Sequence, residues 1–273
     1  MLRWTNSGAV DWPQTVQIRI AKRYEQRIKA NAPEPSRRMS ISEIDENLHY
    51  FRHTLNTPRT TPCTSITLSG LQEESEESIL QIKERIEGFE FQYIRAHIDE
   101  QSIQLVPYLE FVNHISLTIH ENVLLPLSPK SYSKIQYSIA LSQQNLPVLK
   151  EIIEILRSIH PFPITLMYPF PLRADIIHNA PSIHSVQKAV EKIDPTIPIV
   201  GIPKCLSLRS ASKKTSNRWY IDADHQKERA LLFFPDLLRY YKSDECRFCS
   251  MTTDCNGFFS QYLNKDIQLS PCP

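Results

Sequence analysis

Glycine is scarce in this chain: only five occur among 273 residues, at positions 8, 70, 88, 201 and 257. A phosphate-binding loop or a dinucleotide fingerprint needs at least two glycines within about six residues, because bare backbone must approach the phosphate. No two glycines here are that close, and the pattern Gly-x-Ser-x-Gly is also absent. The sequence therefore excludes the common nucleotide-binding loops and the nucleophile-elbow hydrolases.

An excess of charge of one sign and long apolar runs are lacking as well. The formal net charge is +1, which gives no broad field to attract a polyanion, so we do not expect nucleic acid as a partner. No run approaches the ~20 apolar residues of a membrane span. Residues 1–12 lack the basic start and apolar stretch of a secretory signal. We therefore expect a cytoplasmic protein without a membrane partner.

Segments of strand and helix character alternate along the chain, which is 41% hydrophobic and 22% charged. This alternation predicts an α/β fold with a parallel sheet, either open or curled into part of a barrel. A polar, lysine-rich stretch at 209–217 then predicts a boundary between a body, residues 1–208, and a tail, residues 209–273, that begins with a hairpin. Predicted strands are 15–20, 65–68, 91–98, 115–119, 135–141, 164–167 and 197–202; predicted helices are 73–87, 103–111, 146–159, 182–193 and one opened by Ser42-x-x-Asp45.

The tail carries a group of cysteines with the spacing of metal ligands. Cys246-x-x-Cys249 is a knuckle whose two-residue gap lets both sulfurs point at one centre, and Cys255 follows it closely. Cys205 is the candidate fourth ligand, although Cys272 at the terminus could replace it. Otherwise we expect Cys272 to be a bystander. Spacing alone is more typical of a structural zinc site than of an iron–sulfur cluster.

The sixth cysteine, Cys63, precedes the second predicted strand and lies far from the others in sequence. We expect it to be a small buried apolar residue without a ligand role.

The tail resembles the auxiliary-cluster region of radical SAM proteins, especially those that modify peptides. The shared features are Pro203-x-Cys205, a hairpin, Cys246-x-x-Cys249, Cys255-Asn-Gly257 and Tyr262. The body is similar too, since residues 67–70 (Thr-Leu-Ser-Gly) stand where the second strand of that family enters a loop that contacts SAM. The resemblance implies a partial (β/α)6 barrel of radical SAM type and a [4Fe-4S] cluster on the tail cysteines.

One departure from that family matters for function. Its members bind their catalytic cluster through Cys-x-x-x-Cys-x-x-Cys after the first strand, whereas residues 21–29 here contain no cysteine. Without three thiolates no iron is left open to chelate SAM, so we expect no functional SAM-cleaving cluster. The expectation is a pseudoenzyme that serves as a partner or substrate-binding component in peptide or protein modification. Its partner would be a substrate peptide or an active maturase.

Two other functions remain open at this point. The chain could be an enzyme that has repurposed the barrel pocket and uses the tail cluster for electron transfer, or a zinc-stapled interaction protein without a redox role. Ligands of parallel α/β sheets gather at the carboxyl ends of the strands. The polar residues that the predicted strands place there form a possible pocket, with His120 and Glu121 as a possible acid/base pair: Ser69, Gly70, His97, Asp99, His120, Glu121, Gln143 and Tyr168.

Overall fold

A computed structural model describes residues 13–21, 35–54, 62–71, 74–120, 134–159, 163–171, 174–207, 209–211, 218–233 and 240–263, together with residues 267, 269 and 272. The described parts of the chain divide into two compact units. The first comprises residues from 1–25, 32–115 and 216–234, and the second comprises residues from 26–31, 116–215 and 235–273.

The regular elements alternate between strand and helix, as predicted. The strands are β1 (Thr15–Arg19), β2 (Ser65–Ser69), β3 (Tyr93–Asp99), β4 (His114–Ile119), β5 (Ile135–Ala140), β6 (Ile164–Met167), β7 (Ile199–Val200), β8 (Arg218–Ile221), β9 (Leu231–Phe233), β10 (Tyr240–Tyr241) and β11 (Phe258–Phe259). The α-helices are α1 (Ile41–His49), α2 (Glu76–Glu87), α3 (Leu149–Ile159), α4 (Ala174–Asn179) and α5 (Ile183–Val190). A π-helical turn covers Tyr50–Thr54, and 3₁₀ segments cover Glu100–Leu109, Leu146–Val148, Lys227–Arg229, Asp244–Phe248 and Ser260–Tyr262. The predicted α/β class is confirmed.

The first unit is built on a sheet in the order β3-β2-β1-β8-β9. β1 is central, and Ile18 pairs in parallel with Leu68 of β2 on one side and with Ile221 of β8 on the other. β9 returns antiparallel to β8, so the hairpin predicted after residue 217 is confirmed. Because β1, β2, β3 and β8 are parallel, their carboxyl ends meet at one edge of this sheet.

The N-cap of helix α1 lies two residues before the predicted cap, Ser42. Ser40 is the N-cap: its Oγ accepts the Glu43 N–H at 3.2 Å, and the Glu43 carboxylate accepts the Ser40 N–H at 2.8 Å. The predicted box of Ser42 with Asp45 was wrong, because the longer glutamate side chain reaches back to the cap N–H. In α2 the predicted apolar face is confirmed, and Ile79, Ile82 and Ile86 are buried.

The second unit contains a parallel sheet in the order β7-β6-β5. Ile139 of β5 pairs with Leu166 of β6, and Leu166 pairs with Ile199 of β7. β7 is shorter than the predicted strand 197–202, because the Ile197 N–H is used in a turn to the Asp194 carbonyl. α5 ends before the predicted residue 193, since Asp194 precedes a proline and the α conformation is disfavoured there.

The helices that the structure describes are short; α2, for example, has 12 residues. Within that part of the chain, no helix combines the length and apolar character needed to cross a membrane. The predicted boundary between residues 208 and 209 stays a prediction; β8 and β9, which follow it, belong to the first unit.

Candidate functional site

Five cysteines of the second unit line one small cavity of about 30 Å³: Cys205, Cys246, Cys249, Cys255 and Cys272. All five are free thiols and half-buried. The four predicted ligands therefore lie around a common space, although 41 positions separate the first from the second in sequence. The chain brings soft sulfur donors together where the sequence predicted a metal or cluster.

The short pair of strands β10 and β11 closes the loop that carries three of these cysteines. Tyr240 pairs with Phe259 and Tyr241 pairs with Phe258, so residues 242–257 form a loop with its two ends held together. Gly257 ends this loop with a φ of +90°, and a Cβ at that position would lie 2.0 Å from the Tyr241 carbonyl oxygen. Only glycine fits there without displacing backbone.

Hydrogen-bond donors surround the sulfur atoms. The Gly257 N–H donates to Cys255 Sγ at 3.2 Å, and the Cys272 N–H donates to Cys249 Sγ at 3.3 Å. The Ser243 hydroxyl lies 3.4 Å from Cys246 Sγ. Backbone N–H donors directed at sulfur favour the thiolate, which is the form that binds metal. The loop is thus arranged to hold negative charge on sulfur.

The thiols that line the cavity have pKa values shifted in opposite directions. The backbone N–H groups of Met251 and Cys272 hold the pKa of the Cys249 thiol below its usual value. Burial, together with the neighbouring thiolates, raises the pKa of Cys205 to about 11. Lys204 and Lys242 also line the cavity and supply positive charge. Several thiolates at such short range repel one another, so ionising all of them requires a bound cation or cluster.

The cysteine sulfurs are suitable ligands for a metal ion or a cluster, but they are not arranged around a single ion. Among the histidine, cysteine, aspartate and glutamate side chains that the structure describes, no three are arranged to hold a metal ion. Four thiolates bound to one zinc ion at about 2.3 Å would leave no cavity between them. In a cluster each thiolate binds a different iron, so its sulfurs stand farther apart. A zinc site and a cluster site therefore differ in how far apart their sulfurs stand.

Cys272 and Cys63 were both expected to have no ligand role, and the structure places them differently. Cys272, expected to be a bystander, lines the cavity and contacts Cys249 through its N–H. Position alone therefore leaves Cys205 and Cys272 as competing candidates for the fourth ligand. Cys63 is fully buried and its pKa is raised to about 12 by burial, as expected of a small apolar residue.

Four members of the predicted pocket belong to the first unit. Ser69 is buried and donates to the Ile18 carbonyl at 3.2 Å. Gly70 has a φ of +71°, and a Cβ there would lie 2.9 Å from the Ala21 nitrogen. Asp99 Oδ1 caps the following 3₁₀ segment by accepting from the Gln101 N–H at 3.1 Å. His97 is half-buried on β3. Ser69, Gly70 and Asp99 thus have structural roles at the strand ends.

Three further members belong to the second unit. Gln143 donates to the His178 and Ala180 carbonyls at 3.0 and 3.2 Å. Tyr168 is buried, and its hydroxyl donates to the Pro181 carbonyl at 2.7 Å. His120 accepts a hydrogen bond at its carbonyl from Asn145 Nδ2 at 3.1 Å. Glu121 lies outside the described residues, so the acid/base pair with His120 stays a prediction.

Sequence reasoning missed two buried charged residues at strand ends of the first unit. Arg19 ends β1 with 1% of its surface exposed, and Asp222 follows β8 with none exposed. Asp222 Oδ1 accepts the Asp224 and His225 N–H groups, both at 2.9 Å, which explains the turn there. The sequence offered only their positions as a signal, because Arg19 is the last residue of a strand and Asp222 directly follows one.

Comparison with known proteins gives little similarity. No protein-family model and no curated protein sequence matches this chain. Several solved structures are similar in part, among them the following two. One is a putative dihydrodipicolinate synthase family protein from Coccidioides immitis, with 10% identity, a TM-score of 0.32 and coverage of 68% of this chain and 51% of that chain. The other is dihydrodipicolinate synthase from Oceanobacillus iheyensis, with 13% identity, a TM-score of 0.31 and coverage of 69% and 61%. This chain thus spans less than two thirds of the length of either protein, and similarity at this level assigns no function.

Proposed function

We propose that this chain is a non-catalytic, radical-SAM-like iron–sulfur protein that acts as a partner or substrate-binding component in peptide or protein modification. In this proposal residues 1–208 form a partial (β/α)6 barrel of radical SAM type and residues 209–273 form an auxiliary-cluster region. The protein acts in the cytoplasm, with a substrate peptide or an active maturase as its partner. The observation that carries the proposal is the convergence of five cysteines on one cavity.

The residues proposed to hold the cluster are Cys246, Cys249 and Cys255, with Cys205 or Cys272 as the fourth ligand. A [4Fe-4S] cluster held by four cysteines supplies one-electron transfer or a cross-link between chain segments. The chain's own contribution is to position the sulfurs on a closed loop, to direct N–H groups at Cys249 and Cys255, and to place Lys204 and Lys242 beside them. Donors and positive charge at the sulfurs stabilise a cluster that carries net negative charge.

The non-catalytic part of the proposal rests on the sequence. Residues 21–29 contain no cysteine, and no Cys-x-x-x-Cys-x-x-Cys occurs anywhere in the chain. Apart from Ala21, that stretch lies outside the described residues. Lysine and arginine, which occupy several of its positions, cannot replace a thiolate as an iron ligand. The reductive cleavage of SAM is therefore not expected of the isolated chain.

A zinc-stapled interaction protein is the second candidate. The Cys-x-x-Cys spacing favours it, because this knuckle is common in structural zinc sites. Because no three of the described ligand-type side chains are arranged to hold one ion, binding zinc would require the sulfurs to move. The two candidates therefore predict different metals in the same loop.

Anaerobic purification followed by metal and sulfide analysis tests the proposal. A cluster predicts brown protein with about four iron and about four sulfide per chain. Colourless protein with about one zinc per chain would establish the zinc-stapled alternative. The non-catalytic assignment has a separate test: incubation of the isolated protein with SAM and a strong reductant. Accumulation of 5′-deoxyadenosine would contradict it.

A further inference from the structure

A second concave site of the second unit lies apart from the cysteines. It is an open groove of about 730 Å³ between the start of α3 and the outer face of α5. A volume of this size accommodates several side chains of a bound ligand. The lining residues are Gln143, Leu146, Pro147, Leu149, Lys150, Pro181, Ser182, His184, Ser185, Lys188, Ala189 and Lys192.

The charge of this groove has one sign. Lys150, Lys188 and Lys192 line it, and none of the described lining residues is acidic. Lys150 forms an ion pair with the Glu154 carboxylate at 3.7 Å, and both side chains are more than 60% exposed. Such an exposed pair is weak and exchanges readily for another carboxylate. The groove therefore concentrates positive charge in a chain whose formal net charge is only +1.

The walls of the groove are held by hydrogen bonds to regular structure. At the start of α5, the Ser182 hydroxyl accepts the Ser185 N–H at 3.1 Å and lies 2.8 Å from the Ser185 hydroxyl. The Tyr168 hydroxyl donates to the Pro181 carbonyl, and Gln187 of α5 donates to the Leu206 carbonyl at 2.8 Å. A preformed groove binds a ligand with a smaller loss of conformational entropy than one that must first be ordered.

The lining combines lysines with apolar side chains, including Leu146, Pro147 and Ala189. A phosphodiester chain offers charge at regular intervals and little apolar surface, whereas an acidic peptide offers both carboxylates and apolar side chains. The mixed lining therefore favours a peptide. We propose that this groove binds an acidic peptide segment, with its carboxylates against the three lysines. The inference deepens the proposed function, on which it rests, by naming the class of peptide.

The test is fluorescence anisotropy on the full chain. The probe is a fluorescein-labelled peptide of alternating glutamate and leucine, and the control probe replaces each glutamate with lysine. We expect the acidic probe to bind, the basic probe to fail, and added salt to weaken binding. The double variant K188E/K192E should raise the Kd about tenfold or more. The matched variant K83E, on α2 of the first unit, should leave the Kd unchanged.

Each contrary result overturns the inference. These are equal binding of the two probes, an unchanged Kd in K188E/K192E, and tighter binding of duplex DNA than of the acidic probe. Metal content is measured on the same samples to separate this inference from the cluster. If metal-free wild-type protein still binds the acidic probe, the cluster proposal fails and the groove inference is supported. If metal-loaded protein does not bind the probe, the groove inference alone fails.

Discussion

The backbone N–H of Cys272 donates a hydrogen bond to Sγ of Cys249 at 3.3 Å. The Ser250 N–H returns a hydrogen bond to the Cys272 carbonyl at 3.2 Å. Through this pair of contacts, residue 272 is fixed against the Cys-x-x-Cys knuckle. Residue 272 thus becomes part of the cysteine cavity.

Cys249 is the thiol whose environment most favours a bound metal, because two backbone N–H groups stabilise its thiolate. We expect Cys249→Ser to lose most of the iron, or of the zinc under the alternative function, because a serine oxygen is a poor ligand for either soft site. Metal analysis of anaerobically purified protein measures this. Cys63→Ala is the matched control and should keep full metal content. Retention of the metal by Cys249→Ser would remove Cys249 from the ligand set.

Cys205 and Cys272 compete for the fourth ligand position. A cluster or ion with four cysteine ligands needs only one of them, so we expect one of Cys205→Ser and Cys272→Ser to lose metal and the other to retain it. The absorbance of the reconstituted protein and its metal content distinguish the two. If both single variants retain the metal, a three-cysteine site or ligand exchange between the two thiols replaces the proposed ligand set.

Gly257 is the position where the cysteine loop tolerates no side chain. Gly257→Ala would place a Cβ 2.0 Å from the Tyr241 carbonyl oxygen at a φ of +90°. We expect a loss of ~1–3 kcal/mol in the free energy of unfolding from backbone strain, and a lower metal content, because the same residue donates to Cys255. Denaturant unfolding measures the first effect.

Gly88→Ala is the control for that variant. Its Cβ would lie 3.5 Å from the Arg85 carbonyl oxygen, which is an ordinary contact, and its φ of −69° suits alanine. We expect stability and metal content close to those of the wild type. Equal behaviour of the two alanine variants would show that the β10–β11 closure is not as tight as described.

Glu43 links the α1 cap to Arg37 and should make stability depend on pH. The Arg37 guanidinium holds the pKa of Glu43 well below its usual range, with further hydrogen bonds from Gln226 and Ser40, while burial opposes them. A lowered folded-state pKa means that the stabilisation is complete above the unfolded value of about 4.3 and is lost as the pH falls below it.

We therefore expect Glu43→Gln to lower the free energy of unfolding by roughly 0.5 kcal/mol at pH 7, since the pair is partly exposed and screened. The difference from wild type should shrink below about pH 4. Denaturant unfolding across this range measures it, with Glu84→Gln on the exposed side of α2 as the control. A difference that stays constant to pH 3 would assign the effect to the cap geometry rather than to the charge.

Periodic patterns predicted much of the fold, because burial on one face leaves a repeat in the sequence. Ile79, Ile82 and Ile86 recur at helical spacing and are all buried. The α1 cap was misplaced because Ser40 and Ser42 have the same chemistry, and only the reach of Glu43 decides between them. Helix α4 was missed because its six residues are too few to show a repeat.

The candidate site was predictable only where spacing is local. Cys246, Cys249 and Cys255 lie within ten residues, so their convergence follows from the turn between them. The position of Cys272 at the cavity could not be predicted, because termini usually fray and a hydrogen bond to a residue 23 positions earlier leaves no trace in the sequence. The groove could not be predicted for the same reason, since Lys150 comes near Lys188 and Lys192 only in the folded chain.

The complete burial of Cys63 gives the chain an internal reference for chemical labelling. Alkylating reagents need an accessible thiolate, so Cys63 should resist modification in native protein, while the half-buried cavity thiols should react in metal-free protein. Mass spectrometry after iodoacetamide treatment would then count five modified cysteines in the folded, metal-free chain and six after unfolding. Protection of further thiols in the untreated protein would report how many sulfurs the proposed inorganic group occupies.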